Sequence, residues 1–267
     1  MTDQLDVSGV AVCLRKPRGC WRVLDEVDST NTECRRLAAD GAGDGLVIMA
    51  DRQTAGRGRR GRSFDSPQGL GLYLSILWRP DCPPEALLPL TALSAVAACR
   101  AVERASGAKA AIKWPNDLVL NGHKLGGILT ELTLDGKTGR VDFVIVGIGI
   151  NCHQRRSDFG PELADLAISL DMADRPTSRA NLAAALMEEL DTMRAEVLGD
   201  PGRWLDEYRR RCLTLGRRVQ ILRDGKRTEA EAVAVDEQYG LTVRLDDGTK
   251  EILRAGEVSV RGLYGYV

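Results

Sequence analysis

The chain reads as an α/β (α+β) protein: a mixed, largely antiparallel sheet with flanking helices, followed by a small C-terminal β-barrel. Three observations carry this reading. Ala111-Ile-Lys113 leads to the strand-like runs Leu118-Val-Leu120, Leu125–Leu134 and Val141–Ile150, and the turns Asn121-Gly122 and Asp135-Gly136 between the last three make an antiparallel meander. Leu87 to Ala105 is apolar and alanine-rich, follows two prolines and stops at Gly107, as a buried helix does. From Gly216 the texture changes to five short strands, Arg217–Leu222, Thr228–Val235, Leu241–Leu245, Lys250–Leu253 and Glu257–Arg261, punctuated by Asp224-Gly225, Tyr239-Gly240 and Asp247-Gly248.

The other elements follow in order. Val23 leads through Asp25-Glu-Val-Asp28 into Ser29-Thr30-Asn31, and Thr30 with Glu33 forms a T-x-x-E capping box, so a helix starts here and Gly41 ends it. Leu46–Ala50 and Leu72–Trp78 are strands rich in residues that suit a sheet. Pro176 and Ser178 precede a helix from about Asn181 to Leu198, and Pro201 opens another through Trp204, Tyr208 and Cys212. Two units result, residues 1–214 and 215–267. The second is too small to bury much apolar area alone and should lean on the first.

Bulk composition excludes several classes. With 37 basic and 38 acidic residues among 267, the chain is near neutral, which argues against a general nucleic-acid binder. Seven scattered cysteines without C-x-x-C read as reduced thiols, and the two histidines, His123 and His153, lack metal-ligand spacing. The N-terminus has no signal-peptide pattern and no run of ~18 apolar residues is evident, so a soluble cytoplasmic protein with no membrane partner is expected.

Against that neutral background stands Gly56-Arg57-Gly58-Arg59-Arg60-Gly61-Arg62. Four like charges repel, and three glycines lose much backbone entropy on ordering, so the loop makes sense around an anion. It matches G-x-G-x-x-G through Gly56, Gly58 and Gly61, but a dinucleotide site needs a helix opening there, and Ser63-Phe-Asp-Ser-Pro67-Gln-Gly69 is turn chemistry. A phosphate or nucleotide ligand, a solvated basic loop and an RNA contact remain open on the loop alone. Lys113-Trp114-Pro115-Asn116-Asp117 offers a lysine, an amide and a carboxylate that could serve a phosphate, a ribose or base edge and a magnesium ion; a tight turn explains Asn116 and Asp117 equally well. Gly126-Gly127 and Gly147-Ile-Gly149-Ile-Asn151 put glycine inside strands, where either a bulge or close approach of backbone or ligand accounts for it.

Taken in order, Ser29-Thr30-Asn31, Gln53-Thr-Ala-Gly-Arg-Gly-Arg-Arg-Gly-Arg62, Lys113-Trp-Pro-Asn-Asp117, Lys124-Leu-Gly-Gly-Ile-Leu-Thr-Glu131 and Gly147-Ile-Gly-Ile-Asn151 closely resemble the biotin protein ligases, from about Trp21 to the C-terminus. The resemblance implies the biotin–lipoate ligase fold, akin to class II aminoacyl-tRNA synthetases, with an SH3-like C-terminal domain. It implies that biotin and ATP form biotinyl-5′-AMP and that the biotinyl group passes to a lysine of a biotin carboxyl carrier domain. By motif matching, Lys113 and Arg59 are the catalytic candidates. Ser29, Thr30, Asn31, Gln53, Arg57, Gly58, Arg59 and Lys113 would bind biotin. Arg60, Arg62, Lys113, Asn116, Asp117, Asn151 and Arg261 would bind ATP, with Mg2+ brought by ATP, at most aided by Asp117, rather than held in a dedicated protein site. Because 28 residues precede Ser29, the DNA-binding domain of the repressor-type ligases is not expected, nor a DNA partner. Lipoate ligases and octanoyltransferases share the fold and are the nearest enzymatic alternative; a biotin-sensing regulator is the non-enzymatic one. Sheet edges could serve a homodimer or the acceptor, and the tail Gly262–Val267 carries no readable role.

Overall fold

Seven strands form one sheet in a computed structural model that describes residues 3, 5–196, 201–223, 225–254 and 259–262, of which 259, 261 and 262 through backbone alone. The strands are β1 (Trp21–Val27), β2 (Val47–Gln53), β3 (Gly71–Trp78), β4 (Ala111–Lys113), β5 (Asp117–Leu120), β6 (His123–Leu134) and β7 (Val141–Asn151), in the order β1-β2-β3-β7-β6-β5-β4. β1 and β2 pair in parallel, because helix α2 (Thr30–Ala39) returns the chain between them, and the other pairs are antiparallel. The expected mixed, largely antiparallel sheet is what forms.

Period-two alternation decides which side each residue serves. On β7, Val144, Val146, Ile148 and Ile150 join the large core beneath α3 (Leu90–Ser106) and α4 (Arg179–Glu196), while Phe143 and Ile145 face the smaller cluster under α2. The α2 side then gives way along the same strand to Gly147, Gly149 and Asn151. One sheet face is therefore core throughout, and the other is core at one end and open at the other.

Several boundaries differ from expectation for local reasons. Helix α1 (Val7–Cys13), capped by Asp6 accepting from Gly9 N–H at 2.7 Å, is too short and glycine-interrupted to show periodicity; it is held by packing on α4. The T-x-x-E capping box does not form. Ser29 is the N-cap residue and Thr30 the first helical one; the Thr30 hydroxyl is occupied by Gln53 Oε1 at 3.1 Å, and Glu33 pairs with Arg36 at 3.1 Å. Helix α4 starts earlier than expected, at Arg179, with Ser178 Oγ accepting from Asn181 N–H at 3.1 Å; Leu198 lies outside the described residues. Pro84–Ser106 is long and apolar enough to cross a membrane by length and composition, although Arg100, Glu103 and Arg104 interrupt it, so the expectation of no run of ~18 apolar residues holds. Its apolar face, including Leu93, Val96 and Val102, is spent on the core.

After helix α5 (Pro201–Arg211), strands β8 (Arg218–Arg223), β9 (Lys226–Val235), β10 (Leu241–Arg244), β11 (Lys250–Leu253) and β12 (Ser259–Gly262) form an antiparallel sheet in the order β11-β10-β9-β8-β12. Residues 257 and 258 of the expected last strand, Asp224 of the expected turn and most of the Gly262–Val267 tail lie outside the described residues. This sheet leans on the first unit, as its small core requires. Val219, Ile221, Ala230 and Leu241 join the main cluster, Tyr239 packs edge-on against Tyr208 at 5.3 Å, and the Trp114 indole N–H donates to Tyr239 O at 2.9 Å. Trp114, beside the candidate lysine, thus carries the second unit.

The N-terminal segment is tied down by charge. Asp3 lies 2.7 Å from His153 Nε2 and accepts from the Arg179 backbone N–H at 2.8 Å, while Asp171 lies 2.9 Å from His153 Nδ1 and Arg179 reaches Asp51 at 2.6 Å. The hydrogen bond to Asp3, reinforced by Asp171 and opposed by burial, raises the His153 pKa above the ordinary histidine value. A raised folded-state pKa stabilises the fold fully below about pH 6.5 and the contribution is lost as pH rises through the folded value. The melting-temperature advantage of wild type over His153→Gln should therefore shrink as pH is raised above neutrality; an advantage that grew with pH would contradict the assignment.

Candidate active site

A cavity of about 910 Å³ opens on the α2 side of the sheet where its face turns from core to glycine, between the start of α2, the arginine loop, the Lys113–Asp117 segment and residues 159–167. Register explains its floor. Ser75 lies opposite Gly147, which lies opposite Leu129; Tyr73 lies opposite Gly149, which lies opposite Gly127, itself opposite Asp117. A Cβ on Gly147 would sit 2.1 Å from Asn31 Oδ1 and one on Gly149 2.6 Å from the Phe64 ring. Both glycines therefore admit side chains from neighbouring elements, and the β6–β7 register is unbroken there, so no bulge is involved.

The wall on the α2 side is a connected polar network. Gln53 Oε1 accepts from the Thr30 backbone N–H at 2.9 Å and its hydroxyl at 3.1 Å, and Gln53 Nε2 donates to Ser66 Oγ at 2.7 Å. Ser75 Oγ lies 2.6 Å from Asn31 Oδ1, and Asn31 Nδ2 donates to Glu131 Oε2 at 2.9 Å. Ser29, Asn31 and Gln53 line the cavity; Thr30 is buried behind that wall and orients Gln53 rather than facing the opening. Fully bonded networks of this kind fix side-chain direction before any ligand arrives.

The arginine loop is a tight hairpin. Arg57 bridges Ser63, Gly58 N–H donates to Arg62 O at 2.7 Å, Phe64 N–H donates to Gly56 O at 2.9 Å, and a single 3₁₀ turn, Arg59–Gly61, forms the tip. No α-helix opens there, which agrees with rejecting the dinucleotide fingerprint. Arg60 sits at φ 58°, ψ 39°, a left-handed conformation that costs a non-glycine residue about 1 kcal/mol or more. Arg59 reaches across to Asn116 Oδ1 at 3.0 Å, and Arg57 pairs with Glu131 at 2.9 Å. Burial lowers the Arg59 pKa; Asp117 opposes that shift, and Arg60 and Arg62 add to it. A guanidinium stays charged under such a shift, so an anion placed beside it would be favoured.

On the opposite wall, Lys113 ends β4 with 8% of its surface exposed, lining the cavity together with Asn116 and Asp117. The Trp114–Pro115 peptide is cis. Asn116 Nδ2 donates to Ile128 O at 2.9 Å, and Asp117 pairs with Lys124 at 2.8 Å. Asn151 lines the cavity, but its amide is engaged on both sides, with Ile168 O at 3.0 Å and Gln154 Nε2 at 3.2 Å. Arg60 and Arg62 also line the cavity, as does Gly58. The Arg261 side chain lies outside the described residues; its backbone runs in β12 beside Val260, which lines the cavity. Among the described residues there is no group of three or more side chains suited to hold a metal ion.

The sequence expectation assigns no role to Glu131, Ser75, Phe64 or Lys124, although Lys124 and Glu131 bound one of the motifs that carry the family resemblance. Glu131 was legible in principle, since counting by two from Gly127 along β6 places Leu129 and Glu131 on the cavity face. Ser75 joins through the β3–β7 register, which no local pattern encodes.

Known proteins resemble the chain in sequence and in fold. The model of the Biotin/lipoate A/B protein ligase family matches residues 23–151 and that of the biotin protein ligase C terminal domain residues 214–261. The chain is 45% identical over 149 residues to the bifunctional ligase/repressor BirA of Bacillus subtilis, a match that spans 56% of this chain and 45%, less than half, of that protein. It is 33% identical over 250 residues to the biotin–[acetyl-CoA-carboxylase] ligase of Mycobacterium tuberculosis, covering 89% of each. The structure resembles the biotin protein ligase from Aquifex aeolicus in complex with biotin and ATP, with a TM-score of 0.78 and 29% identity over 92% of this chain and 100% of that one.

Proposed function

The chain belongs to the biotin protein ligase family, and on that premise we propose that it is an ATP-dependent ligase that makes biotinyl-5′-AMP and transfers the biotinyl group to a lysine of a biotin carboxyl carrier domain. The observation that carries the reading is the convergence of Lys113, Arg59 and Asn116 on one cavity whose floor is glycine. In the first step a biotin carboxylate oxygen bonds to the α-phosphorus of ATP and pyrophosphate leaves, so two anions must meet. Lys113, largely withdrawn from solvent, is placed to offset that charge as it builds. In the second step the acceptor amine bonds to the acyl carbon, AMP departs and the nitrogen releases a proton.

The remaining roles follow from chemistry and position. Ser29, Asn31 and Gln53, the last two held by Ser75 and Thr30, would present hydroxyl and amide groups to the ureido ring, while Arg57, Gly58 and Arg59 would complete the biotin site, the two arginines holding the adenylate. Arg60, Arg62, Asn116, Asp117, Asn151 and Arg261 would serve the nucleotide; of these Asn151 could do so only by releasing a present partner. Mg2+ would arrive on the phosphates and offset their charge, and Asp117 could aid it by exchanging Lys124 for the metal. Residues 1–214 would form the catalytic unit and 215–267 the second. The β1 edge could serve a second copy or the acceptor, whereas β4 is bridged at Ile112 by Cys212 and Leu213.

Incubation with biotin, ATP, Mg2+ and a carrier domain should add one biotinyl group by intact mass. Addition of lipoate or octanoate in place of biotin would overturn the reading.

A further inference from the structure

The peptide that follows Lys113 is held from outside the catalytic sheet. Trp114 precedes a proline, which has no N–H of its own, so the Trp114 N–H is the last backbone donor before the turn that ends β4. Thr214 Oγ1 accepts it at 3.0 Å. Both residues are buried, Thr214 at 3% and Trp114 at 2% exposure. Thr214 belongs to the segment that leaves α5 along the outer side of β4, where Cys212 bridges Ile112 in parallel and Leu213 N–H donates to Ile112 O at 2.8 Å. Two residues beyond it, Gly216 N–H donates to Ala232 O of β9 at 2.8 Å. On the inner side, Lys113 lies opposite Asp117 of β5. The lysine is therefore flanked by bonds at Ile112 and Trp114 that tie its strand to the junction between the two units.

We propose that Thr214 is a positioning residue for Lys113: its hydroxyl fixes the peptide plane that follows the lysine and so sets where the ammonium group points when the two anions meet. This rests on the ligase reading, which gives Lys113 that task. A buried N–H without an acceptor is unfavourable, so loss of the hydroxyl drives the peptide to turn toward another partner. Turning about the Lys113 Cα–C bond shifts the side chain that the same Cα carries, and a misplacement of about 1 Å at a reacting group can cost about a hundredfold in rate. A threonine that served only to satisfy the amide would stabilise the fold and leave turnover alone.

Thr214→Val keeps the side-chain shape and removes the acceptor. In biotin-dependent exchange of labelled pyrophosphate into ATP, measured well below the melting temperature, kcat is expected to fall about tenfold while the KM values for biotin and ATP stay within about twofold. Thr214→Ser, which keeps the hydroxyl, should recover most of the loss, and Thr214→Val should add little to Lys113→Ala because the two act through one group. Thr214→Ala removes the same acceptor and repeats the comparison if the valine variant folds poorly. Unchanged kcat in a folded variant, no recovery with serine, or a further loss of about tenfold on top of Lys113→Ala would overturn the proposal. Amide hydrogen exchange at Trp114, read without substrates, should quicken in Thr214→Val and not in Thr214→Ser. A wild type without biotin-dependent exchange of pyrophosphate would count against the ligase reading, while that amide comparison still decides whether Thr214 holds the peptide beside Lys113.

Discussion

Lys113→Ala is expected to lower exchange of labelled pyrophosphate into ATP by at least about a hundredfold, with the fold intact. The lysine stands at the end of β4 with 8% of its surface exposed, on a wall shared with Asn116 and Asp117. A cation withdrawn from water acts through a low local dielectric, so its loss weighs most when the carboxylate and the α-phosphate close on each other. Its side chain is small in volume beside the neighbouring Trp114, which carries the packing, so thermal melting should change little. Near-normal exchange in Lys113→Ala would remove this residue from the first step.

Arg59→Gly is expected to keep adenylate formation but lose adenylate retention. Arg59 spans from the arginine loop to Asn116 Oδ1 at 3.0 Å and so ties the loop to the wall that bears Lys113. An acyl adenylate is a mixed anhydride that water hydrolyses, and a site that keeps it must exclude water until the amine arrives. Removing the span leaves Lys113 in place and opens the cover. Pyrophosphate exchange should persist, and bystander proteins lacking a carrier domain should become biotinylated on exposed lysines. A variant that retained adenylate as wild type does would refute the role.

Much of this site was legible locally. The arginine loop, the Lys113–Asp117 segment and the strand glycines stand out by residue chemistry, and the structure gathers the loop, the segment, Gly127, Gly147 and Gly149 round one cavity. The capping box was misread because the Thr30 hydroxyl has a competitor, Gln53, twenty-three positions away in sequence. Helix α1 is not legible in the sequence because seven residues interrupted by Gly9 carry no periodicity, and α4 supplies the missing stabilisation.

By itself the sequence determined the element types, the antiparallel meander and the chemical character of the loop, because turns, caps and period-two patterns act over a few residues. Only tertiary structure decided what the strand glycines were for. Gly147 and Gly149 look alike in sequence, yet one yields to Asn31 from α2 and the other to Phe64 beyond the arginine loop. Register across β3, β7 and β6 sets those meetings, and register is a property of the whole sheet. The pairing of Arg57 with Glu131 depends on the same geometry, for it joins residues far apart in the chain that share one face.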